Sequence, residues 1–192
     1  MIVAFSTSSP QASVALISED GVVLASDQKH APMQASGACF EMLEALLKQT
    51  GTRLNEATLF AADLGPGSFT GVKVAVTIAK TLAFTLSIKA CGASSFDLIS
   101  TEETVILPSK KGEFFIKVFD QDPYRSTELP NERFLGYGPG IDEQQFPHAA
   151  NFARLLHSLE PVEPEYLVPN YLIEPSISLP KKPLSPLDQS HA

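Results

Sequence analysis

Gly65-Pro66-Gly67-Ser68-Phe69-Thr70-Gly71 sits between two apolar runs, where a strand would pass into a helix. Such a turn can hold an anion, because the first amides of a helix lack partners and its dipole favours negative charge there. The spacing is not that of a Walker loop: five residues separate Gly65 from Gly71, and Val72 stands before Lys73. Nor is it GxGxxG, since Thr70 takes the last glycine position. The same residues also read as a tight turn in which Pro66 presets φ, Gly67 bends, Ser68 or Thr70 caps, and Gly71 lets the helix approach a sheet. A second candidate is Ser6-Thr7-Ser8-Ser9-Pro10-Gln11, dense in hydroxyls and turn formers after an apolar strand. Asp63 stands at the end of a strand, a usual place for a catalytic carboxylate, but without a partner in sequence it reads as a turn or capping residue. His30, His148, His157 and His191 are no closer than nine residues, which gives no metal-ligand spacing. There is no GxSxG elbow. Cys39 and Cys91 lie in apolar segments with no CxxC pattern and read as reduced core thiols of a cytoplasmic protein. No catalytic residue, metal site or cofactor is assigned.

The elements that must position these residues follow from periodicity. Ile2–Phe5, Ala12–Ser18 and Val22–Ser26 read as strands of an antiparallel meander, with Glu19-Asp20-Gly21 as a hairpin turn. Cys39, Met42, Leu43, Leu46 and Leu47 recur at helical spacing, and Gly51 suits a left-handed cap. Ala57–Asp63 reads as a strand, Ser68–Leu86 as a second helix, Ile88–Cys91 as a strand, and a third helix is expected from Ser95 through Phe96, Leu98 and Ile99. The order βββαβαβα predicts a mixed sheet with helices packed on it. Further on, Val105–Leu107, Phe114–Phe119 and Phe134–Tyr137 read as strands and Asn151–Leu159 as a helix. Seven of the 15 prolines fall from Pro161 onward, which predicts an extended tail. The expected organisation is an N-terminal lobe over 1–100, an abridged second lobe over 101–160 and a Pro-rich tail over 161–192.

The second helix carries a ridge of small residues, Gly71, Ala75, Ala79 and Ala83, and is apolar on most of its circumference. A helix packed on a sheet buries one face, so the opposite apolar face needs a cover. Either the chain itself supplies that cover, or a partner does, with Met42 and Leu46 of the first helix flanking a patch of Gly71, Val72, Ala75, Val76, Ala79 and Ala83. Charge and length restrict the alternatives. A net charge of −8 argues against an autonomous nucleic-acid surface. Apolar stretches are interrupted well before the ~20 residues of a membrane span, and the start has no basic leader region.

From Gly65 through Ala83 the sequence resembles the signature of the TsaB (YeaZ) family, relatives of the threonylcarbamoyl-adenosine tRNA transferase TsaD. The resemblance extends in order to the opening strand and hairpin, to Gly92-Ala93-Ser94-Ser95-Phe96-Asp97, to Lys110-Lys111-Gly112-Glu113-Phe114-Phe115, to Gly136-Tyr137-Gly138-Pro139-Gly140 and to Pro169-Asn170-Tyr171-Leu172-Ile173-Glu174-Pro175. It implies an α/β, actin-like, ribonuclease-H-like fold of two lobes. It also implies a non-catalytic subunit that pairs with a TsaD-like protein through N-lobe helices, acts with a TsaE-like ATPase, meets tRNA only indirectly, and can form a homodimer through the same face. Actin-like ATPases and sugar kinases hold phosphate and magnesium at the first hairpin, and Ser6 stands where the family has an acid. Ser6, Thr7, Ser8 and Gln11 are therefore a vestigial phosphate hairpin on this reading. The alternatives are a small actin-like ATPase or kinase and a glycoprotease-like peptidase.

Overall fold

The computed structural model describes residues 1–110 and 112–172. Lys111 and the end of the expected tail, 173–192, lie outside the described residues. Three strands open the chain: β1 (Ile2–Ser6), β2 (Gln11–Ile17) and β3 (Val23–His30). They pair antiparallel, and the β2–β3 turn is closed by Ser18, whose amide donates to the Val22 carbonyl, with Gly21 at φ 87°. Gly at that position has no steric penalty for positive φ. Helix α1 (Ala35–Thr50) ends on Gly51 in the left-handed conformation that its sequence predicts. Then come β4 (Leu59–Asp63), α2 (Phe69–Leu86) and β5 (Ala90–Ala93), with β4 and β5 parallel to β1. The strand order is β3-β2-β1-β4-β5. The parallel β4–β5 pair needs a crossover connection between its strands, which α2 supplies.

Both faces of this sheet are covered. On one, Val3, Phe5, Val14 and Leu16 meet Met42, Leu46, Val72, Ala75 and Ala79 of the two helices. On the other, Ile2, Ala4, Ala15 and Ala61 meet Ala149, Phe152 and Leu155. These last residues come from a short helical segment built of a 3-10 turn (Ala149–Asn151), α3 (Phe152–Leu155) and a second 3-10 turn (Leu156–Ser158). The second sheet, of order β8-β7-β6-β9, holds β6 (Val105–Pro108), β7 (Phe114–Lys117), β8 (Tyr124–Ser126) and β9 (Leu135–Gly136). The chain thus leaves the first sheet, builds the second, and returns to close the first.

Two expectations differ. The helix expected from Ser95 is a turn instead, with Leu98 N–H donating to Ser94 O and Ser100 N–H to Phe96 O. Ser95 is held by other groups at both its amide and its hydroxyl, which stops a helix from propagating. Phe96, Leu98 and Ile99 are nonetheless buried. In addition, α2 is long and apolar enough, by length and composition alone, to cross a membrane, although the sequence reading found every apolar stretch too short. It lies on the sheet with seven residues buried, and its charges, Lys73 and Lys80, face away from the core ridge.

Candidate functional site

Asp63 ends β4 and is completely buried. Its Oδ2 accepts from Ser6 Oγ at 2.7 Å and Ser8 Oγ at 2.5 Å; its Oδ1 accepts from Ser95 Oγ at 2.5 Å and the Gly65 amide at 2.9 Å. One carboxylate therefore ties the end of β1, the first hairpin, the turn after β4 and the turn after β5. Burial pushes the Asp63 carboxyl above its ordinary value, and the bonds from Ser8, Ser95, Ser6 and Gly65 pull against that rise. Tyr137, which follows β9 of the second sheet, donates to the Ser8 carbonyl at 3.4 Å. Its phenol is pushed well up, first by burial and then by the Asp63 charge. Each oxygen of Asp63 already accepts two bonds. A carboxylate so occupied orients protein groups, and has little lone-pair capacity left for a hydrated cation.

The hairpin and the glycine-rich turn lock together beside this cage. Thr7 Oγ1 donates to Gly71 O at 2.6 Å and accepts from Ala75 N–H at 3.0 Å, and the Ser68 amide donates to Ser8 O at 2.7 Å. Ser68 caps α2, accepting from Gly71 N–H at 3.3 Å. A Cβ at Gly71 would collide with the Thr7 carbonyl oxygen, so only glycine permits this approach of helix to hairpin. Within the turn, Gly65, Pro66 and Gly71 are buried, while Ser68, Phe69 and Thr70 face outward. Of the expected phosphate hairpin, Ser6, Thr7 and Ser8 turn inward to protein groups, and Gln11 opens β2, its amide donating to Ser9 Oγ at 3.1 Å. Among the described residues no group of three or more His, Cys, Asp or Glu side chains converges as a metal cluster would. Cys39 and Cys91 are free and buried, and burial pushes each thiol up to about 12.

The eight residues expected at a partner interface lie in the chain's own core, which corrects the sequence reading. Met42, Leu46, Gly71, Val72, Ala75, Val76, Ala79 and Ala83 are all buried, none more than 4% exposed where the value is resolved by side chain. The physical reason is that α2 has neighbours on three sides. Its small ridge meets the sheet, Val74 and Leu82 pack toward the core shared with α1, and residues 161–172 run along its other flank. That strap is fixed by a mutual backbone bridge between Val162 and Ala90. Lys80 Nζ donates to Glu165 O at 2.8 Å, Leu167 is buried in the core, and Asn170 N–H donates to Leu64 O at 2.7 Å. Outside on α2 lie Phe69, Thr70, Lys73, Thr77, Thr81, Phe84 and Thr85, among which Phe69, Lys73, Thr77, Thr81 and Phe84 form a stripe at intervals of three to four residues. Phe84 is 75% exposed, and Phe40 of α1 is 49% exposed. Lys73 lies 4.0 Å over the Phe69 ring, which also packs on Tyr171 at 5.0 Å. Ser95, Tyr137 and Lys80 are site residues that sequence reasoning missed; the Ser95 signal was present, since a serine follows β5 within two residues of its end.

A five-stranded sheet of order 3-2-1-4-5 with three antiparallel strands leading, helices on it, and a second smaller sheet beyond define an α/β protein of the actin-like, ribonuclease-H-like class. The comparisons agree in detail. Residues 30–109 match the family model described as TsaD, tRNA N6-adenosine threonylcarbamoyltransferase. The chain is 31% identical over 99 residues to the tRNA threonylcarbamoyladenosine biosynthesis protein TsaB of Bacillus subtilis (strain 168), a match covering 52% of this chain and 43% of that relative. Less than half of that relative's length is therefore spanned. Among solved structures, YeaZ from Pseudomonas aeruginosa superposes with a TM-score of 0.72 at 22% identity, over 89% of this chain and 99% of that one. A second structure, of an uncharacterized protein with similarity to peptidase YEAZ from the same organism, gives 0.74 at 21% identity, over 90% and 99%. The chain is thus similar in sequence, over about half its length, to a TsaB protein, and in fold, over nearly all of it, to YeaZ.

Proposed function

We propose that this chain is a non-catalytic partner subunit in tRNA threonylcarbamoyladenosine modification, docking a TsaD-like transferase on the solvent-facing side of α1 and α2. The relatives' names support the pathway, and the saturated Asp63 carboxylate is the observation that carries the non-catalytic part. The docking surface on this reading is the stripe of Phe69, Thr77, Thr81 and Phe84 with Phe40 beside it, in place of the buried ridge. Exposed aromatic anchors separated by small polar residues suit a helix-on-helix contact. A TsaE-like ATPase joins the same assembly, tRNA contact falls mainly to the transferase, and the complex works in the cytoplasm.

The test is co-purification with a TsaD-like protein. Phe84→Asp with Thr77→Arg should abolish the complex while leaving the circular-dichroism spectrum unchanged. Ala79→Arg, by contrast, should unfold the protein, because it drives a charge into the core. A stripe variant that binds as tightly as wild type overturns the docking surface. Saturable micromolar binding of Mg–ATP in calorimetry would instead favour an ATPase or kinase.

A further inference from the structure

The outward stripe of α2 begins where the C-terminal strap arrives. The strap climbs one flank of the helix against its direction. Val162 bridges Ala90 just past the helix C-terminus, Glu165 O takes the Lys80 ammonium farther up, and Asn170 N–H reaches Leu64 O ahead of the first turn. Tyr171 then packs on Phe69, the first residue of the stripe. From Phe69 to Phe84 the stripe is about 22 Å long at the rise of a helix. Its far end is bare, Phe84 being the 75% exposed side chain. Helix α2 also has no acid in its first turn and no base in its last, so its own side chains answer neither end of its dipole.

The sequence beyond Leu172 carries a pattern that fits this stripe. Glu174-Pro175 suits a reversal of the chain, because proline presets φ and keeps the residue before it out of the helical region. Pro175, Ile177 and Leu179 alternate with Ser176 and Ser178, the period of an extended segment with one apolar side. Pro180, Lys181 and Lys182 follow. Seven extended residues reach about 23 Å. A run that turns back at Pro175 beside Phe69 therefore brings Lys181 and Lys182 to the far end of the stripe.

We propose that residues 174–182 fold back over α2 and cover the stripe within the same chain, in competition with the transferase. Ile177 and Leu179 lie against the stripe between Phe69 and Phe84, with Phe40 of α1 alongside. Glu174 stays at the N-terminal end of the helix, near Lys73, while Lys181 and Lys182 meet its last carbonyls. Each charge thus answers the dipole end that it reaches. The competition rests on the reading of this stripe as the transferase contact; the cover itself does not.

A nitroxide on Thr81→Cys in the full, isotope-labelled chain reports the cover by nuclear magnetic resonance. Cys39 and Cys91 are buried and stay unlabelled. The amides of residues 177–182 should broaden, and Ile177→Ser with Leu179→Ser should sharpen them again. In the otherwise wild-type chain, the same double substitution should tighten binding of a TsaD-like protein about tenfold, the effect of freeing a surface that is covered roughly nine-tenths of the time. Sharp amides in the spin-labelled chain overturn the proposal, as does broadening that the double substitution leaves in place. Equal broadening of wild-type chains mixed with separate spin-labelled ones also overturns it, because the contact would then be between copies. Broadening relieved by the double substitution, with unchanged transferase affinity, keeps the cover and overturns the docking surface proposed above.

Discussion

At the scale of single residues, the buried Asp63 decides how the middle of the molecule holds together. Removing its side chain leaves the hydroxyls of Ser6, Ser8 and Ser95 and the Gly65 amide without their acceptor. Asp63→Ala should therefore destabilise by about 3 kcal/mol or more. Asp63→Asn should cost roughly half that, because hydroxyls rotate to accept from the new amide and no charge is buried. Urea denaturation of the two variants measures the difference. Acidity acts on two groups in opposite senses. The Asp63 carboxyl is raised above 3.8 by burial, so its contribution to stability is whole below that value and is lost as the pH climbs through the native one. His148 is lowered below 6.5, first by burial and with Asp27 opposing. Its Nδ1 accepts from Ala150 N–H at 3.0 Å and so caps the segment that covers the back of the sheet. That contribution is whole above pH 6.5 and is lost as the pH falls through the native value. Wild type should thus lose stability relative to His148→Asn between pH 7 and pH 5, by about 1 kcal/mol, the usual worth of such a cap. Chemical denaturation at both pH values checks it.

At the scale of elements, α2 is held between sheet, first helix and C-terminal strap. Leu167 fills the core beside it, and Lys80 binds the carbonyls of Glu165 and Leu167. Leu167→Ala should cost about 2–3 kcal/mol as a large-to-small core change. Lys80→Ala should cost only about 1 kcal/mol, but should raise hydrogen exchange of the strap amides selectively. Much of this element was legible in advance. The turn from Gly65 to Gly71, both ends of α2 and the C-terminal cap of α1 at Gly51 follow from turn chemistry and periodicity. Which neighbour covers which face does not: periodicity states that Ala75 and Ala79 avoid water, and the strap that helps achieve this lies some ninety residues away in sequence. That Ser6, Ser8 and Ser95 converge on Asp63 was illegible for the same reason, since they join it only through the strand order. The turn at Ser95 lost its expected helix because that serine is bound to Asp63 and Gly65.

At the scale of the whole molecule, the two sheets are joined by a chain that crosses out and comes back. The rear face of the first sheet is covered by Ala149, Phe152 and Leu155, and Ser13 Oγ accepts from the Ala149 amide at 2.9 Å. The first hundred residues therefore hold the topology of a lobe without its whole core. A fragment of residues 1–100 should lack a cooperative thermal transition and should bind a hydrophobic dye, whereas the full chain melts in a single step; calorimetry and dye fluorescence distinguish them.

The late return of residues 149–167 also fixes a timetable for the newborn protein. During synthesis, the sheet begun by the first strand stays greasy on its reverse until the ribosome has released the segment around Phe152, and the long helix keeps a bare flank until Leu167 follows. Until both segments have emerged, the growing polypeptide bares apolar surface of the kind that holding chaperones bind.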